Sequence, residues 1–335
     1  MDKVTLVVTS ISEPNNVLKS LSSGCLENGW SFVLVGDKKS PKNFHCDGIN
    51  YFSLDAQIKT GFKFALAAPI GHYARKNIGY LIAIKNGTKI IVETDDDNYP
   101  LHGFWDKRKK IERASSVKNN GWVNAYHFFC DDKIWPRGLP LNEVNSIVED
   151  YDDLVIDYLE SPIQQGLADI NPDVDAIYRL VFSLPFSFIP DRRIALEKGV
   201  WCPFNSQNTT WWSEAFPLLY LPSYCSFRMT DIWRSFIAQR IAWENGWVIQ
   251  FHSPTVWQDR NEHDLMEDFV DEIPGYLNND LIKEKLSLLN LKSGPQHIAQ
   301  NMLSCYKALV QMDVIGEKEI HLLECWLKDL NNLGA

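Results

Sequence analysis

Between residues 3 and 97, short runs of β-branched and apolar residues alternate with helical segments, and that alternation restricts the choice of fold more than any other feature. Val4 to Val8 reads as a buried parallel strand whose carboxyl end opens into the loop Thr-Ser-Ile-Ser-Glu-Pro-Asn. Asn15 to Ser22 supplies a helix, and Trp30 to Val35 the next strand, closed by Gly36-Asp37-Lys38. A second cycle runs from a strand at Ile49 to Ser53, through a helix at about Arg75 to Asn86, to a strand at Lys89 to Glu93. Repeated βαβ units define an α/β protein with a mixed, mainly parallel, Rossmann-like sheet flanked by helices.

The second half is less regular. Residues 100 to 225 are rich in proline and aromatic residues, with short strand-like pieces such as Trp122 to Phe129, a composition suited to carrying specificity. Asp231 to Trp243 reads as a helix with Thr230 as its N-cap, followed by a strand at Trp247 to His252 and a loop through Pro254. From about Asn279 to Leu333 the apolar positions Leu281, Ile282, Leu286, Leu289, Ile298, Met302, Tyr306 and Leu309 mark an amphipathic helical extension. It packs on the main domain or on a second subunit.

A formal net charge of −10 argues against a surface built for non-specific binding of nucleic acid or anionic lipid, so any phosphate site must be local. The seven cysteines are widely spaced and lack a C-x-x-C pair, which suits reduced thiols in a cytosolic compartment. The amino terminus enters a strand pattern without a basic and apolar leader, and the longest apolar runs, Ala65 to Ile70 and Phe216 to Leu221, are far below the ~20 residues that span a bilayer. The expectation is a cytoplasmic protein with at most peripheral contact at the inner face of a membrane.

The segment Glu93-Thr94-Asp95-Asp96-Asp97-Asn98 is the main candidate for chemistry, because ligands bind outside the carboxyl ends of strands in open α/β sheets. Carboxylates two apart, Asp95 and Asp97, can both reach a hard divalent cation, Mn2+ or Mg2+, while Asp96 turns toward a sugar or ribose. The bland alternative is a solvated acidic turn. Arg75 and Lys76, at the start of a helix, combine charge with the helix dipole in a way that suits a pyrophosphate, or else form a solvated helix end. Asp37 either accepts a hydrogen bond from a base or ribose or caps its own turn.

In Asn171-Pro172-Asp173-Val174-Asp175-Ala176-Ile177-Tyr178-Arg179, carboxylates and an arginine, Asp175 among them, either bind sugar hydroxyls or form a surface ion pair. Asp231, at the start of a helix, is either a dipole-favoured acid or a general base. His252 and His263 are further candidate metal ligands. The absence of G-x-S-x-G, P-loop, G-x-G-x-x-G and H-E-x-x-H patterns weighs against serine hydrolases, P-loop kinases, typical dinucleotide oxidoreductases and zincins.

Arg75 to Leu81, the strand ending in Asp95-Asp96-Asp97, Pro203 to Thr209, Ser226 to Arg234, and Gln239-Arg240 together resemble the STELLO-like glycosyltransferases over roughly residues 3 to 265. The resemblance implies a GT-A fold and a D-x-D motif that binds a nucleotide-sugar donor through a divalent metal. It also makes Asn205, Gln207 and Asn208 candidate sugar or acceptor contacts, since amides offer paired donors and acceptors. By analogy with inverting GT-A enzymes, Asp231 is the candidate base.

The expected layout is a glycosyltransferase domain over 1–275, with a nucleotide-sugar half (1–100) and an acceptor half (101–275), then a helical extension over 276–335 that can serve as a homo-oligomer contact. The expected activity is metal-dependent transfer from a nucleoside-diphosphate sugar, such as a UDP-sugar, to a glycan or glycolipid in surface-polysaccharide assembly. A nucleotide-sugar mutase and a non-catalytic nucleotide-sugar-binding scaffold are the alternatives.

Overall fold

A computed structural model describes residues 2–261 and 264–334. The first unit is β1 (Val4–Thr9), α1 (Asn16–Asn28) and β2 (Ser31–Val35), and the second is β3 (Asn50–Phe52), α2 (Leu54–Lys59), α3 (Lys63–Ala67), α4 (Lys76–Lys85) and β4 (Ile90–Thr94). Then follow β5 (Asn98–Pro100), β6 (Ile111–Val117), β7 (Gly121–Trp122), β8 (Val155–Glu160), β9 (Ile163–Asp169), α5 (Ala176–Val181), β10 (Arg193–Leu196), β11 (Val200–Trp201) and β12 (Asn208–Trp212). The chain closes with α6 (Thr230–Trp243), β13 (Ile249–Gln258), α7 (Leu265–Ser287), α8 (Ile298–Gln311) and α9 (Lys318–Leu333).

The main sheet has the order β3-β2-β1-β4-β12-β9-β13-β10-β6-β8, with β5 paired to β13. Its first four strands are all parallel, and β12 then joins β4 antiparallel, opposing Thr209 to Glu93. Because successive side chains of a strand point to opposite faces, Val7, Val33, Val35 and Ile91 enter one apolar layer, whereas Leu6, Val8, Phe32, Leu34, Ile90 and Val92 enter the other, with α1. The result is the helix-flanked mixed α/β sheet that the resemblance implies for a GT-A domain.

Helix α4 approaches the sheet so closely that a Cβ on Gly79 would lie 2.6 Å from Val7 Cγ1 and 2.8 Å from Val35 Cγ2, so only glycine fits there without a shift. The strand and α4 are locked from inside by Glu93. This side chain points into the protein rather than toward a ligand, paired with Arg234 of α6 (2.8 and 3.0 Å) and accepting hydrogen bonds from Trp211 Nε1 (2.8 Å) and the Tyr80 hydroxyl. Its full burial and its inward partners exclude Glu93 from the acidic cluster.

Several local expectations are corrected. The strand read as ending at His252 continues to Gln258, passing Pro254 with a register shift between His252 and Val256, where proline has no N–H to give the ladder. Trp122 to Phe129 is a two-residue strand followed by a 3-10 turn. Thr230 is the first residue of α6, and its N-cap is Met229, without a side-chain cap bond.

The helical extension begins at Leu265, so residue 275 falls inside α7. Ile282, Leu286, Ile298, Met302, Tyr306, Leu309, Leu322 and Trp326 share the larger apolar layer, while Leu281 is exposed. Buried Glu319 of α9 accepts from the amides of Ser223 and Tyr224 (2.9 and 2.7 Å) and from the Tyr220 hydroxyl, pinning the loop that leads to Phe227. Among the described residues no helix is long and apolar enough to cross a membrane.

Candidate functional site

The carboxyl ends of β1, β2 and β4 open into a cavity of about 520 Å3, which Gly71 to Tyr73, Phe227, Gln258 and a set of aspartates and arginines complete. At one end Ile11 follows β1, and Gly36, Asp37, Lys38 and Lys39 follow β2. The Asp37 carboxylate is turned onto backbone, accepting from Gly71 N (2.9 and 2.8 Å), His72 N (3.0 Å) and Lys38 N (2.6 Å). It therefore lines the cavity and holds together the two loops that shape it. His72 and Tyr73 stack, and both meet Phe227 edge-on, forming an aromatic wall.

At the centre lie Asp95, Asp96 and Asp97. Asp96 Oδ2 accepts hydrogen bonds from the Ser10 and Ser12 hydroxyls, and Asn15 Nδ2 donates to the Asp96 carbonyl (2.9 Å), so β1's loop fixes the middle of the triplet. Asp95 Oδ1 receives Lys76 Nζ at 2.9 Å. Asp97 faces the amides of Gln258 (3.1 and 3.3 Å) and Asn261 (3.5 Å), with no ion pair among the described residues. Burial, followed by the charges of Asp95 and then Asp96, pushes its carboxyl up to about 7, while the Gln258 hydrogen bond opposes this.

Among the described residues no group of three or more ligating side chains is gathered. Two carboxylates, however, fit Mg2+ or Mn2+, which commonly take one or two carboxylates and complete their shell with water and substrate phosphates. Asp97 and the second oxygen of Asp95 meet that description.

Next to the triplet is a buried clamp. Arg137 donates to Asp173 through Nε and Nη2 (both 2.8 Å), to both oxygens of Asp231 through Nη2 (3.1 and 3.2 Å), and to the Arg228 carbonyl through Nη1. Ser206 adds its N–H (3.1 Å) and hydroxyl (3.3 Å) to Asp231 Oδ2. Burial tends to raise the Asp173 carboxyl, but the charge and hydrogen bonds of Arg137 hold it below the ordinary carboxylate range. Asp231 and Asp95 line the same cavity and sense each other's charge.

The other candidates are placed differently. Lys76 is fully buried and spent on Asp95 Oδ1, the Thr94 carbonyl (3.0 Å) and the Ser206 carbonyl (3.4 Å), so it positions the triplet from behind instead of facing a ligand. Arg75 lines the cavity, but its Nε goes to Gln57 (2.8 Å) and its Nη1 to the carbonyls of Ala68 and Pro69.

Asp175 is buried as the N-cap of α5, accepting from Tyr178 N and Trp135 Nε1 (both 2.7 Å), and Asp173 takes its place at the cavity. Gln207 lines the cavity, whereas Asn205 braces Asp173 (2.8 Å) and the Gln207 amide (3.0 Å) from behind, and Asn208 is held within β12 by Leu167 and Thr255. His252 sits mid-strand opposite Arg193 and Gly166. It lies six residues before Gln258, which touches Asp97, and because the register shift absorbs two of them the span is about four ladder positions, roughly 13 Å of strand. Burial, then Arg108, pushes its imidazole down to about 3, which keeps the ring neutral; its place in the strand, away from Asp97, is what separates it from the triplet. His263 lies outside the described residues.

Arg137, Tyr73, Phe227, Gln258 and Arg260 also line the cavity, and sequence reading did not single them out. Arg137 stands in Trp-Pro-Arg-Gly within the irregular region, and its partners lie 36 and 94 residues away, so nothing local signals its role.

The fold and site define an α/β protein with an acidic triplet and a buried Asp-Arg-Asp clamp facing one cavity at the carboxyl edge of a helix-flanked sheet. A family model described as STELLO glycosyltransferases matches residues 228–335. The chain is 30% identical to the probable glycosyltransferases STELLO2 and STELLO1 of Arabidopsis thaliana, each across 98% of its own length, and belongs to the STELLO-like glycosyltransferase family. It spans less than half of those relatives, 45% and 44%.

The shared region thus runs through the helical extension and beyond residue 265. Two solved structures show a fainter likeness: a mycobacterial protein (TM-score 0.41, 10% identity, 83% of this chain and 74% of that one) and M. tuberculosis glucosyl-3-phosphoglycerate synthase (TM-score 0.40, 10% identity, 83% and 80%).

Proposed function

We propose that this chain transfers a sugar from a nucleoside-diphosphate donor, of the UDP-sugar type, to a hydroxyl of a glycan or glycolipid acceptor, as in surface-polysaccharide assembly. One observation carries the reading: the Asp95–Asp97 triplet and Asp231 face a single cavity at the carboxyl ends of β1, β2 and β4. The nucleoside rests over the loops after β1 and β2, between Ile11 and the Gly36 to Lys39 turn. Asp97 and the free oxygen of Asp95 would hold Mn2+ or Mg2+, whose charge would offset that of the departing diphosphate.

Asp231 takes the proton of the attacking acceptor hydroxyl. Its Oδ1 receives only Arg137 Nη2 and so keeps a lone pair for that hydroxyl, while Oδ2 is held by Ser206 as well. The carboxylate is fixed at the start of a rigid helix, which gives the orientation such a transfer requires. As the new glycosidic bond forms at the anomeric carbon, the bond to the diphosphate breaks on the far side, so the configuration inverts.

Calorimetry of UDP with and without Mn2+ tests this. Wild type should bind UDP in a Mn2+-dependent manner, Asp97→Ala should lose that dependence, and Asp231→Asn should bind UDP as wild type does while its transfer or donor-hydrolysis rate falls about 10²–10⁴-fold. Unchanged affinity of Asp97→Ala for UDP plus Mn2+ would sink the site assignment.

A further inference from the structure

Three guanidiniums, those of Arg179, Arg228 and Arg260, line the same cavity. Two are tethered to α7. Arg228 Nε and Nη2 donate to Glu272 Oε1 at 3.0 and 2.9 Å, with Asp268 Oδ1 3.7 Å from Nε, and Arg260 Nη2 donates to Asp268 Oδ2 at 2.5 Å. Arg179 is different. Its Nη2 donates to the Pro172 carbonyl (2.8 Å) and its Nη1 weakly to Asn171 Oδ1 (3.5 Å), its buried Nε donates to nothing, and it forms no ion pair among the described residues.

The nearby Asp173 is already committed to Arg137 and Asn205 through its two oxygens. Burial, followed by the charge of Arg260, pushes the Arg179 guanidinium down to about 10, with Arg228 adding to the effect and Asp173 opposing it. With Arg137 counted, four guanidiniums here face four carboxylates, those of Asp173, Asp231, Asp268 and Glu272, and within that set Arg179 is left without a carboxylate of its own and with one buried donor unpaired.

We propose that Arg179, Arg228 and Arg260 bind a phosphate group carried by the acceptor. Guanidinium forks match phosphate oxygens, and the buried, unpaired Arg179 Nε gains a partner when the side chain turns its fork toward a bound phosphate. The position selects acceptor over donor. Asp173 joins this cluster to Arg137, and Arg137 in turn holds both Asp231 and the Arg228 carbonyl, so the cluster borders the base that receives the acceptor hydroxyl. The acceptor assignment rests on the proposed transfer, whereas the anion site itself does not.

The probe is inorganic phosphate titrated into the whole chain saturated with UDP and Mg2+, with acetate in a parallel arm. One phosphate should bind, at least tenfold more weakly in Arg179→Met and with an intermediate loss in Arg179→Lys, while UDP affinity stays within twofold in both variants and so reports that they fold. Acetate should bind more weakly than phosphate.

Phosphate that competes with UDP would assign the cluster to the donor diphosphate and overturn the proposal, as would binding indifferent to Arg179, no binding at all, or acetate binding as tightly as phosphate. If UDP itself does not bind, the transfer reading fails separately. Phosphate titrated into the free protein then still decides whether Arg179 serves an anion site.

Discussion

At the scale of single residues, Asp97 couples stability to pH. Its carboxyl is raised from the ordinary value to about 7 while only 9% of the residue is exposed. A carboxyl raised on folding favours the folded state when it holds its proton. That contribution is fully present below the unfolded pKa of about 3.9 and is lost as pH rises through about 7, on the order of 4 kcal/mol. The chelator-treated protein should therefore lose Tm between about pH 4 and 7, and Asp97→Asn should flatten that loss. Parallel pH profiles for variant and wild type would refute the account. Asp97 was legible in the sequence because it follows a buried strand, but its neutral amide neighbours Gln258 and Asn261 come from 161 and 164 residues away, where no local pattern reaches.

At the scale of elements, the strand that presents the triplet is fixed by an internal ion pair. Glu93 of β4 and Arg234 of α6 are both essentially unexposed, and Tyr80 of α4 and Trp211 of β12 complete the network. Removing one partner leaves an uncompensated buried charge, so Arg234→Met should cost about 3–5 kcal/mol in urea unfolding, and adding Glu93→Gln should recover part of it. A single variant within about 1 kcal/mol of wild type would show that the pair does not hold β4 in place. The alternation of strand residues made it foreseeable that Glu93 and Asp95 would share a face. The chain turns after Thr94, however, and breaks that periodicity, which is why one carboxylate is structural and the other faces the cavity.

At the scale of the whole molecule, the helical extension is part of the site's support. Trp326 of α9 is fully buried against Phe64 and Tyr220, and its Nε1 donates to the Pro217 carbonyl (3.0 Å). Glu319, on the same helix, pins the loop before Phe227. Trp326→Ala should destabilise the protein by about 3–5 kcal/mol as a single cooperative unfolding step. A separate early transition confined to the extension, seen by calorimetry, would instead mark residues 276–335 as an independent unit. The amphipathic pattern predicted helices there, but it did not say which surface they cover. Their apolar faces turn inward because the layer behind α4 and α6 is otherwise incomplete.

What the sequence determined by itself is whatever short-range chemistry dictates: the alternation of strand and helix, the parallel start of the sheet, and the acidic triplet at the end of β4. Only the tertiary structure decided which charged residues meet. Asp231 faces the cavity because Arg137 and Ser206, 94 and 25 residues away, turn it there. Lys76 faces inward because Asp95 and two backbone carbonyls surround it, and Asp173 displaces Asp175 because the latter caps α5. Charge partners of this kind are selected by distance in space and by loss of water, and neither quantity is written in the spacing of residues along the chain.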